Sequence, residues 1–179
     1  MVSSIELCNS LKPFLLQMSD IVKEFEDRDI FAPQHWIKWL KDVDAVLKRL
    51  QLVESSKIAS LYSEILSVQQ ASSGIGKKRM VFSKCIETIP SAQSIILELY
   101  SIQNTKIENC IDILRHIVVP MKNAGLFDDV DTTVSDFPRD FIRQLLKNEQ
   151  LAPSVNNVIA SVGFSDALHL LTEEILGDM

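Results

Sequence analysis

Four residues near the middle of the chain, Gly74-Ile75-Gly76-Lys77, raise the question of a phosphate cradle, where glycine amides and a lysine ammonium surround an anion. That chemistry needs a glycine five residues before the Gly-Lys pair and a Ser or Thr after the lysine. Ala71 and Lys78 hold those positions, and no strand pattern precedes them. The segment reads as a connector, whose Lys77-Lys78-Arg79 run offers positive charge to an acidic partner or a phosphate backbone. The histidines, His35, His116 and His169, stand apart, with none of the HExxH, ExxH or HxH spacings that place two ligands on one metal. Arg115-His116, late in an apolar stretch, reads as a polar core pair or as a partner for a helix C-terminus. Cys8, Cys85 and Cys110 are too far apart for a CxxC pair, and no nucleophile elbow occurs. The expectation is a protein that is not an enzyme, with no cofactor and no metal.

A second stretch, Ile159-Ala-Ser-Val-Gly-Phe-Ser-Asp166, reads as helix, glycine turn, helix. Over about twenty residues it resembles the second helix-turn-helix of the AraC-type transcription regulators, which implies a DNA reader. It departs from that pattern in two respects. Close crossing of the helices needs a small residue four positions before the turn glycine, and Ile159 stands there. The would-be reading helix carries Asp166, Glu173, Glu174 and Asp178, and lacks the Arg, Lys, Asn or Gln that address base edges. The alternative is a plain helical hairpin, with Gly163 left-handed and Ser165 as N-cap.

The elements that must position these residues are helical. Leu7, Leu11, Phe14, Leu15, Met18, Ile21, Val22 and Phe25 recur at three- and four-residue steps, which predicts one helical stripe. Ser10 with Pro13 marks either a fresh helix start or a kinked longer helix. Ala32-Pro33 opens a second helix with Trp36, Leu40, Val43, Leu47 and Leu50 in line. Aromatic anchors concentrate at interface hot spots. Trp36 reads as core, whereas Trp39, at the edge of the stripe, stands between core rim and interface. Ser55 or Ser56 caps a third helix to about Val68. Met80 to Ile89 fits a helix or a strand. Pro90 to Met121 follows as a long apolar region, with Ile95, Leu99 and Ile102 aligned and a break offered at Asn104 by Thr105 and Glu108. Gly125 stops it, Phe127 folds back on the core, Ser135 to Pro138 begin another helix, and two short helices finish the chain at 154–162 and 165–176.

Composition agrees. Of 179 residues, 46% are hydrophobic and 23% charged, and 5 Gly with 6 Pro leave little room for the turns of a β-sandwich. The expected fold is all-α, an irregular antiparallel bundle of six to eight helices. It is read as one domain over 1–179, with sub-units at 1–72 (a three-helix unit), 73–125 and 126–179. The net charge of −6 weighs against nucleic acid, which draws an excess of Lys and Arg. No apolar run reaches the roughly 18 residues of a membrane span. An odd set of scattered cysteines and no leader pattern point to a reducing, cytoplasmic setting.

The expected function is a non-catalytic protein-interaction module, an adaptor, chaperone-like subunit or inhibitor, that binds a protein partner through a helical surface. Trp39, Ile37 and Phe127 are the apolar candidates for that surface, and Lys77, Lys78 and Arg79 the charged ones. The partner's identity is unknown, and a homo-oligomer stays open. The alternative is a nucleic-acid-associated regulator using the C-terminal hairpin or the Lys77–Arg79 loop.

Overall fold

In a computed structural model, which describes residues 2–71, 76–127 and 137–177, every regular element is an α-helix. Among the described residues there are seven: α1 (Ser4–Glu26), α2 (Ala32–Arg49), α3 (Glu54–Ala71), α4 (Lys77–Asn123), α5 (Phe137–Lys147), α6 (Ala152–Val162) and α7 (Phe164–Leu176). Gly74 and Ile75, the acidic stretch 128–136 with its Ser135-Asp136 cap, and Asp178 lie outside the described residues. The chain divides into two compact units, one of Leu7–Ser101 and one of Met1–Glu6 with Ile102–Met179. This grouping differs from the chain-order sub-units 1–72, 73–125 and 126–179. Long-range packing assigns the N-terminal residues to the same unit as the C-terminal helices, and α1 and α4 each supply residues to both.

The Leu7–Ser101 unit is an up-down-up-down four-helix bundle. Its antiparallel order shows in the side-chain pairs. Glu24 meets His35 and Ser10 meets Arg49 between α1 and α2. Lys41 covers the Tyr62 ring between α2 and α3, and Glu64 meets Lys84 between α3 and α4. Phe25 meets Phe82, while the Cys8 thiol lies by the Tyr100 carbonyl, between α1 and α4. The core comes from the expected stripes of α1 to α3: Leu11, Trp36, Leu40, Val43, Leu47, Ile58 and Ile65 are all fully buried.

The helix α4 resolves one open reading and corrects others. Met80 to Ile89 is helical. The chain then continues through Pro90 and past Asn104 as one helix of 47 residues. Thr105 and Glu108 form no capping box, and Asn104 Nδ2 instead donates to Glu108 Oε1 (2.7 Å), one helical turn on. An interior proline forfeits one backbone hydrogen bond and costs about 3 kcal/mol or more. Burial of Ile89 and Ile96 on either side of Pro90 offsets that, at roughly 1.5–3 kcal/mol for each large aliphatic side chain. The core face near Pro90 is Cys85, Ile89, Ala92 and Ile96, one residue out of step with the expected Ile95, Leu99 and Ile102. Pro13 likewise lies inside a continuous α1, so Ser10 is no cap. Ser55 and Ser56 fall inside α3, where Ser56 Oγ donates to the Val53 carbonyl (2.7 Å).

Three helix ends share one form. Arg28 (φ 57°), Gln51 (φ 55°) and Gly125 (φ 71°) are left-handed residues just past α1, α2 and α4. At each, two amides turn back to the last-turn carbonyls, as Gly125 N–H to Lys122 (2.9 Å) and Leu126 N–H to Met121 (3.1 Å) do. This is the Schellman arrangement.

The other unit packs α5, α6, α7 and the C-terminal part of α4 around Cys110, Leu114, Val118, Ile142, Leu145, Val158 and Leu171. Between α6 and α7, Gly163 takes φ 88°, ψ 161°, which is positive-φ and extended rather than left-handed helical. That region is essentially closed to any side chain. Because α7 starts at Phe164, Gly163 itself holds the cap position, with no side-chain cap, and Ser165 falls inside the first turn. The expectation for Ser165 is therefore corrected. The hydroxyl, two residues too late for capping, is followed by Asp166, which is buried and points elsewhere.

Candidate interaction surface

Asp166 caps another helix. One carboxylate oxygen accepts the backbone N–H of Ser4 (2.7 Å) and of Ile5 (3.3 Å), and the other accepts the Ser3 hydroxyl (2.7 Å). Ser3 Oγ in turn accepts the Glu6 N–H (3.0 Å). All three leading amides of α1 are satisfied, with a carboxylate at the positive end of the helix dipole. Ser4 Oγ adds a bond to Gln103 Oε1 (2.9 Å). The Ser3-x-x-Glu6 spacing carried half of this signal in sequence, since it is a capping-box pattern. The Asp166 half carried none. The clasp also removes Asp166 from any reading surface of the C-terminal hairpin.

The apolar interface candidates separate on inspection. Trp39 is 2% exposed, stacked on Trp36 with ring centroids 4.8 Å apart, and its Nε1 donates to the Phe14 carbonyl (3.1 Å). Its stripe-edge position is covered by α1, so Trp39 is corrected to a core residue. Trp36 is fully buried, and its Nε1 donates to Thr88 Oγ1 (2.9 Å), whose hydroxyl donates to the Cys85 carbonyl (2.7 Å). Ile37 is half-buried. Phe127 is half-buried as well and spends its ring edge-on to Phe141 (5.3 Å) and Phe137 (6.3 Å).

The charged candidates stand at the first turn of α4. Lys77 is half-buried, Lys78 and Arg79 are exposed, and among the described residues none of the three has an ion-pair partner. Three cations at the positive end of a helix oppose its dipole, so helix stability does not account for them. A Cβ on Gly76 would meet nothing within 4 Å, so no close approach requires glycine there.

The other chemistry-bearing residues are engaged singly. His35 Nδ1 lies 2.7 Å from Glu24 Oε2, His116 Nδ1 2.6 Å from the Asp112 carbonyl, and His169 Nε2 3.3 Å from Glu173 Oε1. Arg115 reaches Glu174 (3.0 Å) on an exposed face, so Arg115-His116 is no polar core pair. Among the described residues, no three His, Cys, Asp or Glu side chains gather as a metal site. The cysteines are free and buried. Burial pushes the thiols of Cys8 and Cys110 up, and that of Cys85 up to about 12. A thiol held protonated in this way is a poor nucleophile.

A groove of about 430 Å³ runs between α1 and α4. On α1 its walls are Leu15, Met18 and Val22, repeating at three- and four-residue steps, with Ser19 and Lys23 beside them and Glu26 at one end. On α4 they are Gln93 and Leu97. Met18 forms the floor at 3% exposure, while Leu97 stands 44% exposed. Ile86, also 44% exposed, precedes Gln93 by seven residues and so shares the α4 face that carries Leu97. The chemistry offered is aliphatic, with one cation and one anion at the rim. Compared with known proteins, the chain matches no family model, no curated protein and no solved structure.

Proposed function

We propose that this protein is a non-catalytic protein-interaction module, an adaptor, chaperone-like subunit or inhibitor, that receives a partner helix in the α1–α4 groove. The observation that carries this reading is the groove itself: an aliphatic floor at Met18, open walls at Leu15 and Leu97, and a sparse polar rim. An amphipathic helix fills such a groove with anchors one turn apart. Three aliphatic anchors gain roughly 5–9 kcal/mol of gross burial. Association costs reduce that, which fits an exchangeable partner of about micromolar affinity or weaker. The net charge of −6 leans toward protein rather than polyanion, and three free, buried thiols are in keeping with a reducing, cytoplasmic setting. No described helix is long and apolar enough to cross a membrane.

The test is affinity capture from native lysate, with nuclease, comparing the wild type with Leu97→Asp and a control, Val53→Asp. Val53 is 76% exposed and away from the groove lining, so both variants should keep their fold. A stoichiometric protein held by wild type and control but lost from Leu97→Asp supports the reading. An eluate indifferent to Leu97→Asp overturns it. A second reading, a nucleic-acid-associated regulator, draws support from the Lys77–Arg79 turn, whose three cations have no ion-pair partner among the described residues. It expects salt-dependent nucleic-acid binding that disappears when all three are changed to Gln.

A further inference from the structure

We draw no further inference here: the strongest candidate, the α1–α2 groove rimmed by Asp20, Glu24 and Asp42 above Ile21 and Trp39, is a cluster of acidic side chains with no second observation in the structure that marks a ligand for it.

Discussion

Replacing Asp166 with Ala removes three acceptor contacts from the start of α1 while leaving every hydrophobic side chain in place. A hydrogen bond to a charged group contributes about 1.5–3 kcal/mol net. The Ser4 amide and Ser3 hydroxyl bonds, both at 2.7 Å, carry most of it, and the Ile5 bond at 3.3 Å little. Water recovers part of the loss, because the Ser3 and Ile5 bonds are only part-buried. The expected cost is about 3 kcal/mol, above the usual 0.5–2 kcal/mol for an ordinary N-cap. At 2–4 °C per kcal/mol for a chain of this size, the melting temperature should fall by roughly 6–12 °C. Asp166→Asn, which keeps an acceptor oxygen and loses the charge, should cost about half as much. Urea unfolding followed by circular dichroism gives the loss, and hydrogen exchange locates it, with amides 4–8 losing protection first. Ser3→Ala combined with Asp166→Ala should cost less than the sum of the two, since they share one bond. A loss below about 0.5 kcal/mol, or a loss of protection spread evenly over the chain, would refute the capping argument.

Three further outcomes follow from the same geometry. Gln51→Gly should stabilise by about 0.5–1 kcal/mol in urea unfolding, because Gln51 now carries a side chain in left-handed geometry that glycine adopts freely. Thr88→Val should cost about 1–3 kcal/mol by orphaning the buried Trp36 indole N–H, whereas Thr88→Ser, which keeps the hydroxyl, should cost only about the 0.8 kcal/mol of its lost methyl. For Cys85, the folded thiol is raised from the ordinary 9.0 to about 12. Below pH 9 both states hold the proton and its contribution is intact. Between pH 9 and 12 the unfolded thiol ionises while the folded one does not, and stability falls by about 1.4 kcal/mol per pH unit. Cys85→Ala should flatten that part of a stability-against-pH curve.

Local signals in the sequence carried the fold, and non-local ones were silent. The stripes of α1 and α2 are periodicities, visible without knowing what they pack against, and so is the glycine stop at Gly125. The course of α4 was misread where local and tertiary terms compete. Pro90 has the spacing of a start, yet burial of Ile89 and Ile96 offsets its cost, and the cap spacing of Thr105 and Glu108 goes unused inside the continuous helix. The one-residue error in the α4 core face came from an apolar arc so wide that Leu97 and Ile102, both exposed, fit as well as Ile96. Trp39 was ambiguous for a related reason, because only the covering α1 decides whether the edge of a stripe is rim or core. The groove was illegible outright. It is defined by Leu15 and Val22 on one helix and Leu97 on another more than seventy residues away.

The clasp between Ser3 and Asp166 joins residues 163 apart, and that separation sets a timetable. Chains are synthesised at about 5–20 residues per second, so α1 waits some 8–33 s for the carboxylate that completes its cap. Through that interval its leading amides have only the Ser3 hydroxyl and water. The apolar stripe from Leu7 to Phe25 belongs to the Leu7–Ser101 unit and has its packing partners by Ser101, so only the first turn is left waiting. The carboxylate that fixes its first turn is made 163 residues after the hydroxyl it binds.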